Sequence, residues 1–105
     1  SIRQAALQAL GQLGPSAATD TVIEVLLTAF KESDWSIRQA AAQTLGQLGP
    51  NAATDTVIYA LRTALKDGDW WVRQAAAQAL GQLGSKAATE VVIDALLTAL
   101  KDGDW

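Results

Sequence analysis

Between Trp35 and Leu48 the apolar residues Ile37, Ala40, Ala41, Leu45 and Leu48 fall three or four apart, and Gln39, Gln43 and Gln47 recur every fourth residue on the other side. That pattern is an amphipathic helix over 35–48 with one buried stripe. Asp34 stands where an N-cap belongs, its carboxylate placed to accept from the free amides of the first turn. Gly49 is placed to end the helix in the left-handed region, and Pro50 blocks its continuation. A second periodic stretch follows. Val57, Ile58, Leu61 and Leu65 give the apolar face of a helix over 55–66, capped by Thr54, with Lys66 in the last turn where the helix dipole favours a cation. Gly68 then makes a turn and Asp69 caps the next helix. No stretch alternates with period two, so the fold is all-α.

The same pattern occurs three times. The chain divides without remainder into 35-residue units, 1–35, 36–70 and 71–105, and 21 of the 35 positions hold one residue type in all three. A unit of this length cannot bury its apolar face alone, so the units stack side by side. The expectation is a single repeat domain over 1–105: an α-solenoid of six helices with antiparallel neighbours. Ser33 replaces the turn glycine in the first unit, which predicts some strain there.

Composition narrows the function. Half the residues are hydrophobic, mostly Ala and Leu, 18% are charged, and the net charge is −3. This offers no basic footprint for a nucleic-acid backbone or an anionic membrane. Cysteine and histidine are absent, which removes thiol nucleophiles, the commonest general base and the usual zinc ligands. No catalytic, cofactor or metal residue is assigned, and the chain reads as no enzyme. No apolar run approaches the roughly 20 residues of a membrane span, and no signal peptide is visible. The compartment stays open, cytoplasmic for a natural protein. Methionine is also absent, so residues are expected to precede Ser1.

The stretch "ALKDGDWWVRQAAAQALGQLG" (64–84) carries a resemblance. Asp, then Val or Ile followed by Arg, an Ala-rich run and "ALGQLG" is similar to the HEAT repeat, especially its phycobilisome-lyase-type HEAT-like subgroup and the near-consensus artificial α-repeat scaffolds. The match recurs in all three units. The resemblance implies a right-handed superhelix whose second helices line a concave, partner-binding face. The near-consensus unit is somewhat shorter than 35 residues, and the surplus lies in "PNAATDT" (50–56). Nothing beyond the scaffold motif matches a bilin-lyase site.

Several motifs have plain structural readings. In "GQLG" (11–14, 46–49, 81–84) the first glycine allows close helix approach and the second caps. It matches the GXXG of an RNA-binding KH domain only formally, without basic surroundings. "DGD" (67–69, 102–104) is a helix end and a cap, lacking the oxygens of a calcium loop. Arg3, Arg38 and Arg73 recur with Asp34, Asp69 and Asp104. They suit a pair four residues apart on a helix or a charge ladder between units. Trp35, Trp70 and Trp105 follow the caps as clamps over unit junctions, whereas Trp71, standing where the other units have Ser1 and Ser36, reads as exposed and as a candidate anchor.

Two surfaces remain as candidates. On the second helices the positions that differ between copies include Asp20, Asp55 and Glu90; Glu24, Tyr59 and Asp94; and Leu27, Arg62 and Leu97. Their spacing puts them on one face, a partner-binding stripe to which Trp71 is added. The other surface is the pair of ends. Solenoids finish in units with polar outer faces, but Ile2, Ala5, Ala6, Leu10 and Leu13 at one end, and Val92, Leu96, Leu100 and Trp105 at the other, are as apolar as their internal counterparts. Joining Trp105 to Ser1 would recreate the "DWSIRQAA" of 34–41. The leading expectation is a designed or near-consensus scaffold that associates head to tail with itself, as a ring before a filament. The alternative is a protein-binding module of a larger signalling protein that uses the second-helix stripe.

Overall fold

The computed structural model describes residues 1–101. Six α-helices follow in order: α1 (Ile2–Leu13), α2 (Asp20–Ala29), α3 (Trp35–Leu48), α4 (Asp55–Ala64), α5 (Trp70–Gln82) and α6 (Glu90–Lys101). There is no strand among the described residues. The odd-numbered helices pack closely as one layer, α1 on α3 and α3 on α5, and α2 and α4 pack onto the helix that follows each of them. The core runs between the layers through Leu26, Ile37, Leu45, Leu48, Val57, Leu61, Val72 and Leu83.

Caps set the helix boundaries. Thr19, Thr54 and Thr89 accept from the amides of Val22, Val57 and Val92, which opens α2, α4 and α6. Asp34 and Asp69 accept from the amides of Ser36 and Trp71 to open α3 and α5. The α4 helix stops at Ala64, so Leu65 and Lys66 belong to the turn rather than to the last helical residues.

The expected αL cap at Gly49 needs correction. Gly14 and Gly49 have φ of 72° with ψ of −152° and −159°, outside the left-handed helical region and in one that only glycine enters freely. That geometry turns the chain into a 3₁₀ turn at 14–17, 49–52 and 84–87. The surplus residues between the helices of each unit are therefore partly ordered as 3₁₀ structure. Gly68 makes no demand of this kind, since among the described residues only Gly14, Gly49 and Gly84 have positive φ. Ser33 is thus tolerated in the first unit without backbone strain.

The two glycines of "GQLG" divide the work as expected, with one addition. A Cβ on Gly46 would stand 2.9 Å from the Ala79 Cα, so α3 and α5 touch backbone to backbone there. The side chain of Gln47 lies over Gly11, and that of Gln82 over Gly46. Each glycine is a seat for a glutamine of the following unit. Over Gly81 the space is open.

Candidate functional site

The recurring arginine does not pair as its spacing suggests. Arg38 turns away from Asp34 and grips Asp67 with two bonds, Nε to Oδ2 at 2.9 Å and Nη2 to Oδ1 at 3.1 Å. Its Nη1 also donates to the carbonyls of Glu32 and Ser33. One guanidinium thus ties the loop before α3 to the loop after α4. Burial, the largest influence on Asp67, favours its neutral form, but the bonds from Arg38 and the Asp69 amide outweigh it and hold the carboxyl below the usual range. Arg3 pairs with Glu32 at 3.0 Å in an exposed version of the same link. Asp34, freed from this role, accepts from the Ser36 hydroxyl and amide, which lower its pKa. Asp104 lies outside the described residues. The ladder is structural, and its carboxylate comes from position 67 rather than from the caps.

The second-helix stripe is only partly assembled. Tyr59, Arg62 and Asp94 line one groove of about 760 Å³ between α4 and α6. There the Arg62 guanidinium stands 5.3 Å over the Tyr59 ring. Glu24 lines a separate groove of about 490 Å³ between α1 and α2. Asp20, Asp55 and Glu90 sit in the first turns of their helices, where the dipole rewards an acid, and line neither groove. Leu27 is half-buried against the core rather than exposed. It therefore offers less to a partner than the spacing implied. Leu97 is exposed but faces away from the groove lining. Trp71 belongs to α5, away from this stripe.

The end faces divide into exposed and covered positions. Ile2, Ala5, Ala6 and Leu13 are exposed on α1, and Leu100 on α6, while Leu10 and Leu96 are half-buried. Val92 is a correction: it is 2% exposed, because it points inward within its own unit like Val57. The open stripe on α6 instead runs through Ile93, Leu97 and Leu100. Ile93 was legible by alignment with Ile23, which is buried. Trp105 lies outside the described residues. Trp35 and Trp70 are not sealed clamps: they and Trp71 are each 42% exposed.

Among the described residues no group of three or more His, Cys, Asp or Glu side chains could hold a metal ion. No described helix is long and apolar enough to cross a membrane. The stacked helix pairs and the recurring Arg, Ala-rich and "GQLG" positions agree with a known family: the sequence matches HEAT repeats over residues 1–58 and again over 52–105.

The chain belongs to the HEAT-repeat family.

That family is one of helical repeat scaffolds and protein-interaction modules and is typically non-enzymatic. No curated protein matches the chain, so membership carries the architecture. The HEAT units here are joined by the Arg38–Asp67 link and the glycine seats rather than by a cap-to-arginine ladder.

Proposed function

We propose that this HEAT-repeat chain is a non-enzymatic scaffold that stacks head to tail with further copies of itself, closing as a ring. The supporting observation is a comparison of equivalent positions. Ile2 is 88% exposed where Ile37 and Val72 are 2% and 0%, and Leu13 is 65% exposed where Leu48 is fully buried. At the other end Leu100 is 81% exposed where Leu65 is 6%. Each end presents the surface that an internal junction covers. A second copy continuing the array would set its Gln12 on the empty Gly81 seat, as Gln82 sits on Gly46. The residues shared by all three units at 21 of 35 positions, whether from design or from duplication, keep the junction positions equivalent from unit to unit.

Magnitudes make the contact concentration-dependent. Covering Ile2, Leu13, Ile93, Leu97 and Leu100 yields at most roughly 8–15 kcal/mol at about 1.5–3 per fully buried side chain, since Ile93 and Leu97 are already half covered. Association itself costs about 4–15 kcal/mol. Light scattering after size exclusion over a tenfold concentration range is therefore the decisive measurement. A ring gives one mass at a whole multiple of 11.0 kDa, and an open stack gives a mass that climbs. Gly81→Leu, whose Cβ meets no atom within 4 Å in the single chain, should return either form to monomer. A wild-type chain monomeric throughout would overturn the proposal.

A second reading rests on the groove between α4 and α6. The Tyr59–Arg62 pair and Asp94 put an aromatic ring and both charges beside the small side chains Ala60, Ala64 and Ala95, which suits a helix of a partner protein. A monomeric chain whose partner capture is lost on Tyr59→Ala and Arg62→Ala would favour it.

A further inference from the structure

Each second helix inside the chain packs onto the first helix of the next unit, α2 on α3 and α4 on α5. Among the described residues α6 has no following helix to receive it, and its burial shows the difference. The α2 helix buries Ile23, Leu26 and Ala29, and α4 buries Val57, Leu61 and Ala64, whereas α6 buries Val92 alone. A matching surface lies at the other end of the molecule, in the groove of about 490 Å³ between α1 and α2, with Leu7 and Leu10 at its base. On α2 this groove shows Glu24, Val25, Thr28 and Ala29. The same four positions of α6, Asp94, Ala95, Thr98 and Ala99, line the groove that α6 shares with α4. The α1–α2 groove therefore presents the face that, inside the chain, meets a preceding second helix.

Two observations point to α6 of another copy as the occupant. The first is Arg3. Arg38 donates from Nη1 to the carbonyls of Glu32 and Ser33, and Arg73 from Nη1 to the carbonyl of Asp67, in each case in the loop behind the preceding second helix. Arg3 holds the same place in the first unit, but its Nη1 bonds the Glu32 carboxylate in an exposed pair. Arg38 reaches the equivalent acid, Asp67, through Nε and Nη2. Arg3 used in the same way would keep Glu32 and turn Nη1 to the carbonyls behind an incoming helix. The second observation is composition. Arg62 and Asp94 line the groove between α4 and α6; between copies their counterparts are Leu97 and Glu24. Leu7 and Val25 stand where both other units have alanine. The contact between copies thus sets the exposed Leu97 against the exposed Val25 and is more apolar than the junction it repeats.

Given head-to-tail stacking, on which this contact rests, we infer that the α1–α2 groove is the receptor for α6 of a second copy. Leu97 lies on Val25 and Leu7, and Arg3 pins the helix by donating to backbone carbonyls behind it. Two variants separate the surfaces: Val25→Asp blocks the groove and Leu97→Asp blocks the inserted helix. Both side chains are exposed in the single chain, and helical circular dichroism verifies the fold. Each variant alone should sediment as a monomer at concentrations where wild type assembles. Mixed one to one, the intact α6 of the Val25→Asp chain enters the intact groove of the Leu97→Asp chain. Growth then stops at a pair of twice 11.0 kDa, because both remaining surfaces are blocked. Arg3→Lys keeps the charge beside Glu32 but loses the planar fork. Placed in the Leu97→Asp chain it should weaken the pair about tenfold or more, and placed in the Val25→Asp chain it should leave the pair unchanged. A wild type that never assembles ends the head-to-tail reading and this contact with it. Where wild type does assemble, assembly of either variant alone, failure of the mixture to pair, or an equal effect of Arg3→Lys in both chains would overturn the groove contact and leave stacking to another surface.

Discussion

Gly11, Gly46 and Gly81 occupy one position of one motif, yet alanine at each has a different consequence. At Gly46 the new Cβ meets the Ala79 backbone at 2.9 Å, so α3 and α5 must separate, and Gly46→Ala should cost about 1–3 kcal/mol. At Gly11 the nearest obstacle is the end of the Gln47 side chain, which swings aside, and Gly11→Ala should be close to neutral. At Gly81 space is open, and the better helix former should stabilise the single chain by about 0.5–1 kcal/mol. Urea unfolding of the three variants at low concentration checks the order, which collapses to one common gain if only propensity matters. Asp67 gives a second prediction at this scale. It and Arg38 are 15% and 18% exposed, between surface and buried pairs, so Asp67→Asn should cost about 2–4 kcal/mol at neutral pH. Its folded pKa is depressed, so the stabilisation is complete above the unfolded value of about 3.9 and is lost as pH falls through the lower folded value. Wild type and Asp67→Asn should therefore converge in acid, and a gap that stays constant from neutral pH to below pH 3 would show that charge is not its source.

At the scale of elements, the helices were legible because period and caps agree. Thr54, Asp34 and Asp69 announce helix starts, and each caps as its residue type dictates. Thr54→Ala should accordingly cost about 1 kcal/mol, measured as a lower urea midpoint with unchanged slope. What escaped the sequence has a common cause: it depends on which unit a side chain reaches, and a repeat offers several equivalent partners. Arg38 has Asp34 four residues away, but its extended guanidinium finds the fixed carbonyls of Glu32 and Ser33 and the carboxylate of Asp67 together. Val92 and Ile93 are adjacent and both apolar, and only the packing of α6 on its own unit decides that the first is buried and the second open. The 3₁₀ turns escaped because their signal is a glycine φ that also suits an αL cap. Of the second-helix stripe, Tyr59, Arg62 and Asp94 meet in one groove because α4 and α6 stand side by side with small residues between them; the first-turn acids were better explained by the helix dipole.

Over the whole molecule, stability follows the ratio of junctions to units. Only the middle unit has both sides covered: Ile37, Leu48 and Leu65 are all buried, whereas the first unit leaves Ile2 and Leu13 open and the last leaves Leu100 open. In a nearest-neighbour array the free energy is a sum of unit terms and junction terms. The unit term is unfavourable, since no unit buries its own face, so each junction must more than offset it. Three units share two junctions, and inserting a second copy of residues 36–70 after Trp70 makes four units with three. The longer chain should unfold at a higher urea midpoint, with a slope raised in proportion to the added buried surface. Amide exchange should be slowest in the doubly covered helices and faster in α1 and α6, whose outer faces gain nothing from the insertion. A slope and a midpoint that both stay unchanged would mean that the units unfold independently and that the junctions, including the Gly46 contact and the glutamine seats, do not couple them. The head-to-tail scaffold would then lose its energetic basis, because the contact proposed between copies is the one that joins α3 to α5 within each.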